Sequence, residues 1–195
     1  MKLLCVILLA VTLCHNVFLQ KNNLSEIEVF TWEEAKNADP DTIYAISFKK
    51  NKLKEIPVKL SKYTKLVYLD FQRNKLTYLP ESIDTLIHLK YLNISKNKFD
   101  VFPLAITRLF ELETLIASRN NFKRIPENIK YCSELIKIDL WDTPIEFFPD
   151  GFFELHKLKE LDLSNIRFSP KHHKRIVSIF GNINLQIDAP CDCMD

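Results

Sequence analysis

Apolar residues return along most of the chain at a fixed interval of 23 positions. The first apolar column is Ile46, Leu69, Leu92, Leu115, Ile138 and Leu161. The second, two positions later, is Phe48, Phe71, Ile94, Ala117, Leu140 and Leu163. Because side chains two positions apart in a strand share one face, this pair predicts a short, half-buried strand in every period. A unit this small cannot bury its own core, so we expect successive units to stack.

A column of asparagines and a column of prolines indicate how each unit turns back. The asparagines are Asn51, Asn74, Asn97 and Asn120. An Asn amide both donates and accepts, so we predict a structural ladder whose side chains satisfy backbone groups inside the turn. The prolines that follow are Pro57, Pro80, Pro103, Pro126 and Pro149. Their fixed φ suits the start of a return segment, and the apolar spacing of three beyond them predicts a short helical turn.

The stretch LVYLDFQRNKLTYLPESIDTL resembles the leucine-rich repeat pattern LxxLxLxxNxLxxLPxxLxxL. The similarity covers residues 43–168, as five full repeats and one partial repeat, and weakens where Thr143 and Ile166 replace the asparagine. Similarity to the 23-residue LPxxL class, which includes exported bacterial proteins, implies an α/β solenoid. Its expected form is a right-handed horseshoe with parallel strands on the concave face, short helical or 3-10 arcs on the convex side, and helical N- and C-terminal caps.

The start of the chain predicts export. Lys2 precedes an apolar run, Leu3–Cys14, that has the length of a signal-peptide core and is too short to span a bilayer. We therefore predict a signal peptide over residues 1–20, no membrane span in the mature chain, and a secreted, periplasmic or cell-surface location. Lipidation of Cys14 stays an alternative, although Leu13 stands where a lipoprotein box has a small residue.

The segment before the repeats, residues 21–42, is the predicted N-terminal cap. Thr31 with Glu34 three positions later is a capping-box pattern, which predicts the start of a short helix. Trp32 is expected to pack on the first repeat and to cover the open end of the solenoid.

The segment after the repeats, residues 169–195, is the predicted C-terminal cap. Ser169 and Pro170 form an N-cap and N1 pair that opens a helix, and INLQI then predicts a final strand. A bridge between Cys191 and Cys193 would be strained, so we expect a mobile tail, and the redox state of both cysteines stays open. Metal binding and an intermolecular bridge are the alternatives for that tail.

Composition and chemical motifs favour a binding protein over an enzyme. The formal charge of +2 provides no global field for nucleic acid, and two glycines leave no phosphate-binding loop. The chain has no nucleophile elbow and no paired-carboxylate signature, so we expect no catalytic residues, no cofactor and no metal. Cys132 occupies a leucine column of the repeat, which predicts a buried core thiol.

The solvent-facing side of the strands is the remaining candidate site. We expect it to bind a ligand through Tyr68, Asp70, Arg73, Tyr91, Asn93, Ile116, Arg119, Lys137, Asp139 and Trp141. Aromatic and Arg residues carry much of the energy of interfaces, so a protein or peptide is the first expectation. The alternatives are a structural or envelope-associated protein that binds surface glycan or self-associates, and an intracellular signalling scaffold. The sequence leaves the oligomeric state open.

Overall fold

The strands follow one another across a single parallel sheet in the order of the sequence. The computed structural model describes residues 26–191, so the predicted signal peptide and Cys193 lie outside the described residues. The strands are β1 (Phe30–Thr31), β2 (Ala45–Ser47), β3 (Tyr68–Asp70), β4 (Tyr91–Asn93), β5 (Thr114–Ile116), β6 (Lys137–Asp139), β7 (Glu160–Leu163) and β8 (Asn184–Ile187). Within the repeats, residues 23 positions apart are register partners, as Leu69 and Leu92 are. The predicted solenoid is confirmed, and its sheet is open.

Each repeat returns through a short 3-10 helix. The helices are Pro40–Thr42, Val58–Lys62, Glu81–Thr85, Leu104–Arg108, Glu127–Tyr131 and Asp150–Glu154. The periodic prolines are the N-cap residues of the last five, and the Pro80 carbonyl accepts from the Ile83 N–H at 3.1 Å. Because a cap residue needs no N–H inside a helix, proline fits this position in every repeat.

The N-terminal end of the core is closed by a four-residue helix, α1 (Trp32–Ala35). Thr31 and Glu34 form the capping box, with the Thr31 N–H donating to Glu34 Oε2 at 2.8 Å. The Trp32 ring stacks on Phe48 at 5.4 Å between centroids. The predicted lid is therefore a helical turn that covers the first repeat with an aromatic ring.

The C-terminal end of the core is covered by α2 (Pro170–Phe180), with Ser169 as its N-cap. Ile176 and Phe180 are its buried residues, and Phe180 packs on the Phe152 ring at 5.8 Å. Strand β8 then extends the sheet beside β7. Cys191, whose redox state the sequence left open, is disulfide-bonded. Within residues 26–191, no helix has the length and hydropathy to cross a membrane.

The buried asparagines join each repeat to the one before it. Asn97 Nδ2 donates to the carbonyls of Ile94 at 2.9 Å, in its own repeat, and Phe71 at 3.0 Å, in the preceding one. Asn97 Oδ1 accepts from the Leu76 N–H at 3.1 Å. Asn74 and Asn120 make the same three contacts in their repeats. Each amide thus satisfies groups that two adjacent turns would otherwise leave unpaired.

We predict that Asn97→Ala lowers the free energy of unfolding by about 3 kcal/mol, because each buried backbone group left unpaired costs about 1–3 kcal/mol. Asn51, predicted as the first member of the ladder, lies outside it, because its side chain is exposed and makes no hydrogen bond to another residue within 26–191. Asn51→Ala is therefore the matched control. The control should change the unfolding free energy by less than about 0.5 kcal/mol. Urea unfolding of both variants measures the difference, and equal losses would contradict the ladder's role.

Candidate binding face

The solvent-facing residues of β3 to β6 form two rows, which we call the strand face. One row is Tyr68, Tyr91, Thr114 and Lys137, and the other is Asp70, Asn93, Ile116 and Asp139. Register pairing places the members of each row directly beside one another, about 4.8 Å apart. Seven of the ten residues predicted for the site lie in these rows, and Arg73, Arg119 and Trp141 follow their strands in the turns.

Two tyrosines make an aromatic platform on this face. The rings of Tyr68 and Tyr91 stack across β3 and β4 with centroids 4.5 Å apart and an angle of 9° between planes. Burial raises the pKa of both phenols, so both hydroxyls are neutral at physiological pH. Such a pair offers a flat apolar surface with two hydroxyl groups that can donate or accept.

A second aromatic cluster follows β6. The Arg119 guanidinium lies 5.0 Å from the centre of the Trp141 ring, and its Nε donates to Asp142 Oδ2 at 3.0 Å. Trp141 is half-buried. The indole is thereby held between an ion pair and the strand face, as a rigid ring with part of its surface open to solvent. Lys137, nearby on β6, donates to Glu160 Oε2 at 2.6 Å.

The second row of the face also has a structural task that the sequence did not reveal. Asp70 Oδ1 accepts from the Gln72 N–H at 2.7 Å, and Asn93 Oδ1 accepts from the Ser95 N–H at 2.9 Å. Asp139 repeats this contact with the Trp141 N–H at 2.9 Å. Each side chain caps the turn two residues beyond its own strand position. The available signal was the recurrence of Asp and Asn in one outward column, where Ile116 is the exception.

The two carboxylates in that row are held in unfavourable surroundings. Burial raises the pKa of Asp70, while the Gln72 N–H and the Lys49 charge act in the opposite direction. Burial likewise raises the pKa of Asp139, opposed by the Trp141 N–H and the Ser118 hydroxyl. A buried carboxylate that keeps free lone pairs gains from a ligand that supplies a donor or a positive charge.

A line of cationic residues borders the face where the strands end. Lys50, Arg73, Lys96 and Arg119 each have positive φ, between 54° and 62°. The same conformation continues at Asp142 and Asn165. A non-glycine side chain costs about 1–2 kcal/mol in this left-handed region, least for Asn and Asp. Four consecutive repeats therefore place a long basic side chain where a short polar residue fits more easily.

Neither a cluster of metal ligands nor an activated thiol at Cys132 is found in the described residues. Within 26–191, no group of three or more His, Cys, Asp or Glu side chains is placed to hold a metal ion. The Cys132 thiol is buried, donates to the Ile106 carbonyl at 3.3 Å, and has a pKa raised by burial to about 12. A thiol in this state is a poor nucleophile.

Comparison with known proteins identifies the repeat. A family model described as a leucine-rich repeat region matches residues 44–184. Among solved structures, a leucine-rich repeat protein of Leptospira interrogans is 28% identical, with a TM-score of 0.64. The alignment covers 75% of this chain and 36% of that protein. A search of curated proteins finds no match.

Two internalins of Listeria monocytogenes share the fold at 19% identity. Internalin C2 gives a TM-score of 0.62 over 75% of this chain and 61% of its own. The internalin inlF gives 0.58 over 77% of this chain and 41% of its own. This chain thus spans less than two thirds of the length of each of the three structures.

We predict that Asp70→Asn stabilises the fold at pH 7. Asn keeps the acceptor for the Gln72 N–H, as Asn93 does in the next repeat, and removes a buried carboxylate. Because folding raises the pKa of Asp70, its contribution to stability is fully present below its ordinary pKa of 3.8 and is lost as the pH rises through the folded-state pKa. The advantage of the variant should therefore disappear below pH 3.8.

Urea unfolding at neutral and acidic pH measures this difference. Asp70→Ala is the control, because it removes the charge and the acceptor together. It should lose about 1–3 kcal/mol at pH 7 by leaving the Gln72 N–H unpaired. An Asn variant as unstable as the Ala variant would show that the carboxylate itself stabilises the turn.

Proposed function

This chain belongs to the leucine-rich repeat family, and on that premise we propose that it is an exported, non-enzymatic recognition module that binds a protein or peptide on the strand face. The family's fold supports a protein–protein interaction module. The observation that carries the proposal is the aromatic surface on this face, formed by the Tyr68–Tyr91 stack and by Trp141 beneath Arg119. Rigid aromatic rings bury a large area and lose little conformational entropy when they bind.

The two clusters bracket the row of turn-capping residues. Asp70 and Asn93 lie beside the tyrosine stack, and Asp139 is two residues from Trp141. The neighbouring Ile116 adds an apolar side chain to that row. A peptide backbone or side-chain amine crossing the face would thus meet apolar rings on both sides and acceptors between them.

The dimensions of the face set the kind of ligand. The whole eight-stranded sheet has a projected area of roughly 500 Å², against about 800 Å² per partner in a standard stable interface, and the strand face is only part of that sheet. The strand face alone therefore suits a peptide or a protruding loop. A larger partner must also contact the turns that border the face, where Arg73 and Arg119 lie.

We predict that the double variant Tyr91→Ala/Trp141→Ala loses the ligand. Each aromatic anchor at the centre of an interface contributes about 2 kcal/mol, or about 30-fold in affinity, so loss of both should weaken binding by roughly 1,000-fold. Partners captured by the purified protein from surface and secreted extracts are identified by mass spectrometry. The affinity of each purified partner for wild type and variant is then measured by calorimetry.

The matched control is Tyr78→Ala/Phe110→Ala, which removes two aromatic rings that are 62% and 58% exposed and lie outside the strand face. Circular dichroism must first show that both double variants are folded. Retention of the ligand by the control and loss by the strand-face variant supports the proposal. Equal affinity of the strand-face variant and wild type would exclude the aromatic surface as the binding site.

Export rests on the sequence Leu3–Cys14 and is tested separately. We expect the protein outside the cytoplasm with its N-terminus near residue 21, because an apolar core of this length is read by the secretion machinery and removed. N-terminal sequencing of the protein from culture supernatant and cell fractions measures this. A cytoplasmic protein that keeps Leu3–Cys14 would instead support the signalling-scaffold alternative, and a modified Cys14 would support lipidation.

A further inference from the structure

The four residues Lys50, Arg73, Lys96 and Arg119 form a line that we call the basic row. Their backbone N–H groups all bond to a carbonyl of the next repeat: Lys50 to Gln72 at 2.9 Å, Arg73 to Ser95 at 3.0 Å, Lys96 to Ser118 at 2.9 Å and Arg119 to Trp141 at 3.0 Å. The same φ and the same bond recur at each step, so the basic side chains leave the backbone in equivalent positions. Their spacing is that of the strands, about 4.8 Å.

Three members of the basic row have no ion-pair partner among the described residues. Within residues 26–191, no carboxylate lies within salt-bridge distance of Lys50, Arg73 or Lys96. Only Arg119 is paired, with Asp142, which takes the next position of the row and ends it. The pKa of Lys96 is lowered chiefly by the neighbouring Arg73 charge, which indicates mutual repulsion.

Several other surface columns of this solenoid pair opposite charges at the same step. Ion pairs between positions 23 apart outside the basic row include Lys90–Glu113, Lys123–Glu146, Glu134–Lys157 and Lys137–Glu160. Like charges on adjacent repeats are unfavourable. Another column, Lys52, Lys75 and Lys98, also keeps three basic residues, but of these only Lys52 has positive φ. The basic row keeps like charges over four repeats in a backbone conformation that favours Asn, the residue found there at Asn165. Repulsion between like charges and a left-handed backbone conformation, each unfavourable for folding, therefore coincide at the same four positions.

From this coincidence we propose that the basic row is a second binding site, for a linear acidic polysaccharide that carries a carboxylate or sulfate on successive sugars. The site lies at the border of the strand face and does not depend on the proposed protein ligand. Guanidinium and ammonium groups bind such anions through charge-assisted hydrogen bonds. The anion would also relieve the repulsion among the four cations.

Spacing favours a polysaccharide over other polyanions. A sugar ring is about as long as the distance between adjacent strands, and each ring can carry anions on more than one carbon, so anions on successive rings can reach successive cations. An extended acidic peptide presents carboxylates on one side only about every 6.8 Å, which matches the row poorly. Phosphates of a stacked nucleic-acid strand rise about 3.4 Å each and also turn away from a straight row.

The test uses a heparin oligosaccharide as the probe, with polyglutamate of equal charge as the competing polyanion. Calorimetry measures the affinity of the purified protein for each at two salt concentrations. The variant is Lys50→Asn/Arg73→Asn/Lys96→Asn, since Asn suits positive φ and should leave the fold intact. The control is Lys62→Gln/Lys171→Gln/Lys174→Gln, which removes three exposed cations that lie outside the row.

We expect wild type to bind heparin at least tenfold more tightly than polyglutamate. The row variant should lose at least tenfold in heparin affinity, with the slope of log K against log salt reduced by roughly one per cation removed. The control should change affinity less than twofold. Tyr68→Ala/Tyr91→Ala, which removes the tyrosine stack and leaves Arg119 on Trp141, should bind heparin like wild type, and this separates the basic row from the proposed protein site.

Three results would overturn the proposal. Absence of heparin binding by wild type removes the site. Equal losses in the row variant and the control show a general effect of net charge. Polyglutamate binding as tight as heparin binding assigns the row to acidic polypeptides instead.

Discussion

The structure depends on how each turn satisfies its backbone after the chain leaves the sheet. A strand of three residues contributes few hydrogen bonds, and every exit leaves carbonyl and N–H groups facing the core. The buried asparagines Asn74, Asn97 and Asn120 pair these groups within one repeat and in the preceding repeat. Because one amide must reach two turns, the repeats are held to the same length and the same register. The fixed register, in turn, produces straight rows of side chains on the surface.

The C-terminal repeats show what happens when that interaction is lost. Thr143 donates to the Leu140 carbonyl at 2.8 Å, so it serves its own turn but cannot span to the preceding repeat. Ile166 provides no polar atom. A recess of about 450 Å³ lies beside both residues. Register survives because Asn165 Nδ2 donates to Asp142 Oδ1 at 2.5 Å, and α2 then covers the end of the core.

The sequence predicted the fold because its determinants are columns of one residue type. Apolar, Asn and Pro columns each follow from a local requirement, and the caps follow from short motifs at Thr31 and Ser169. The turn-capping role of Asp70 and Asp139 was missed, since an outward acidic residue also fits a ligand site and only geometry identifies the N–H it accepts. The cross-repeat ion pairs could have been found by applying the same step to charges. The disulfide bond of Cys191 could not have been found in this way, because a spacing of two residues argues against Cys193, its nearest candidate partner in the sequence.

Side chains of the strand face cap turns and also line the proposed binding surface, and this limits which positions can change to alter binding specificity. Asp70, Asn93 and Asp139 are held by their own turns, so replacing them with a side chain that lacks the turn-capping oxygen would also destabilise the fold. Tyr68, Tyr91 and Trp141 cap no turn with their side chains, and neither do the side chains of the basic row. These positions can change with little effect on the core. They carry the stacked rings and the basic row, in which only Arg119 has an ion-pair partner within residues 26–191. Recognition on this scaffold therefore depends on the columns whose side chains cap no turn. The columns whose side chains do cap turns keep the recognition side chains aligned from repeat to repeat.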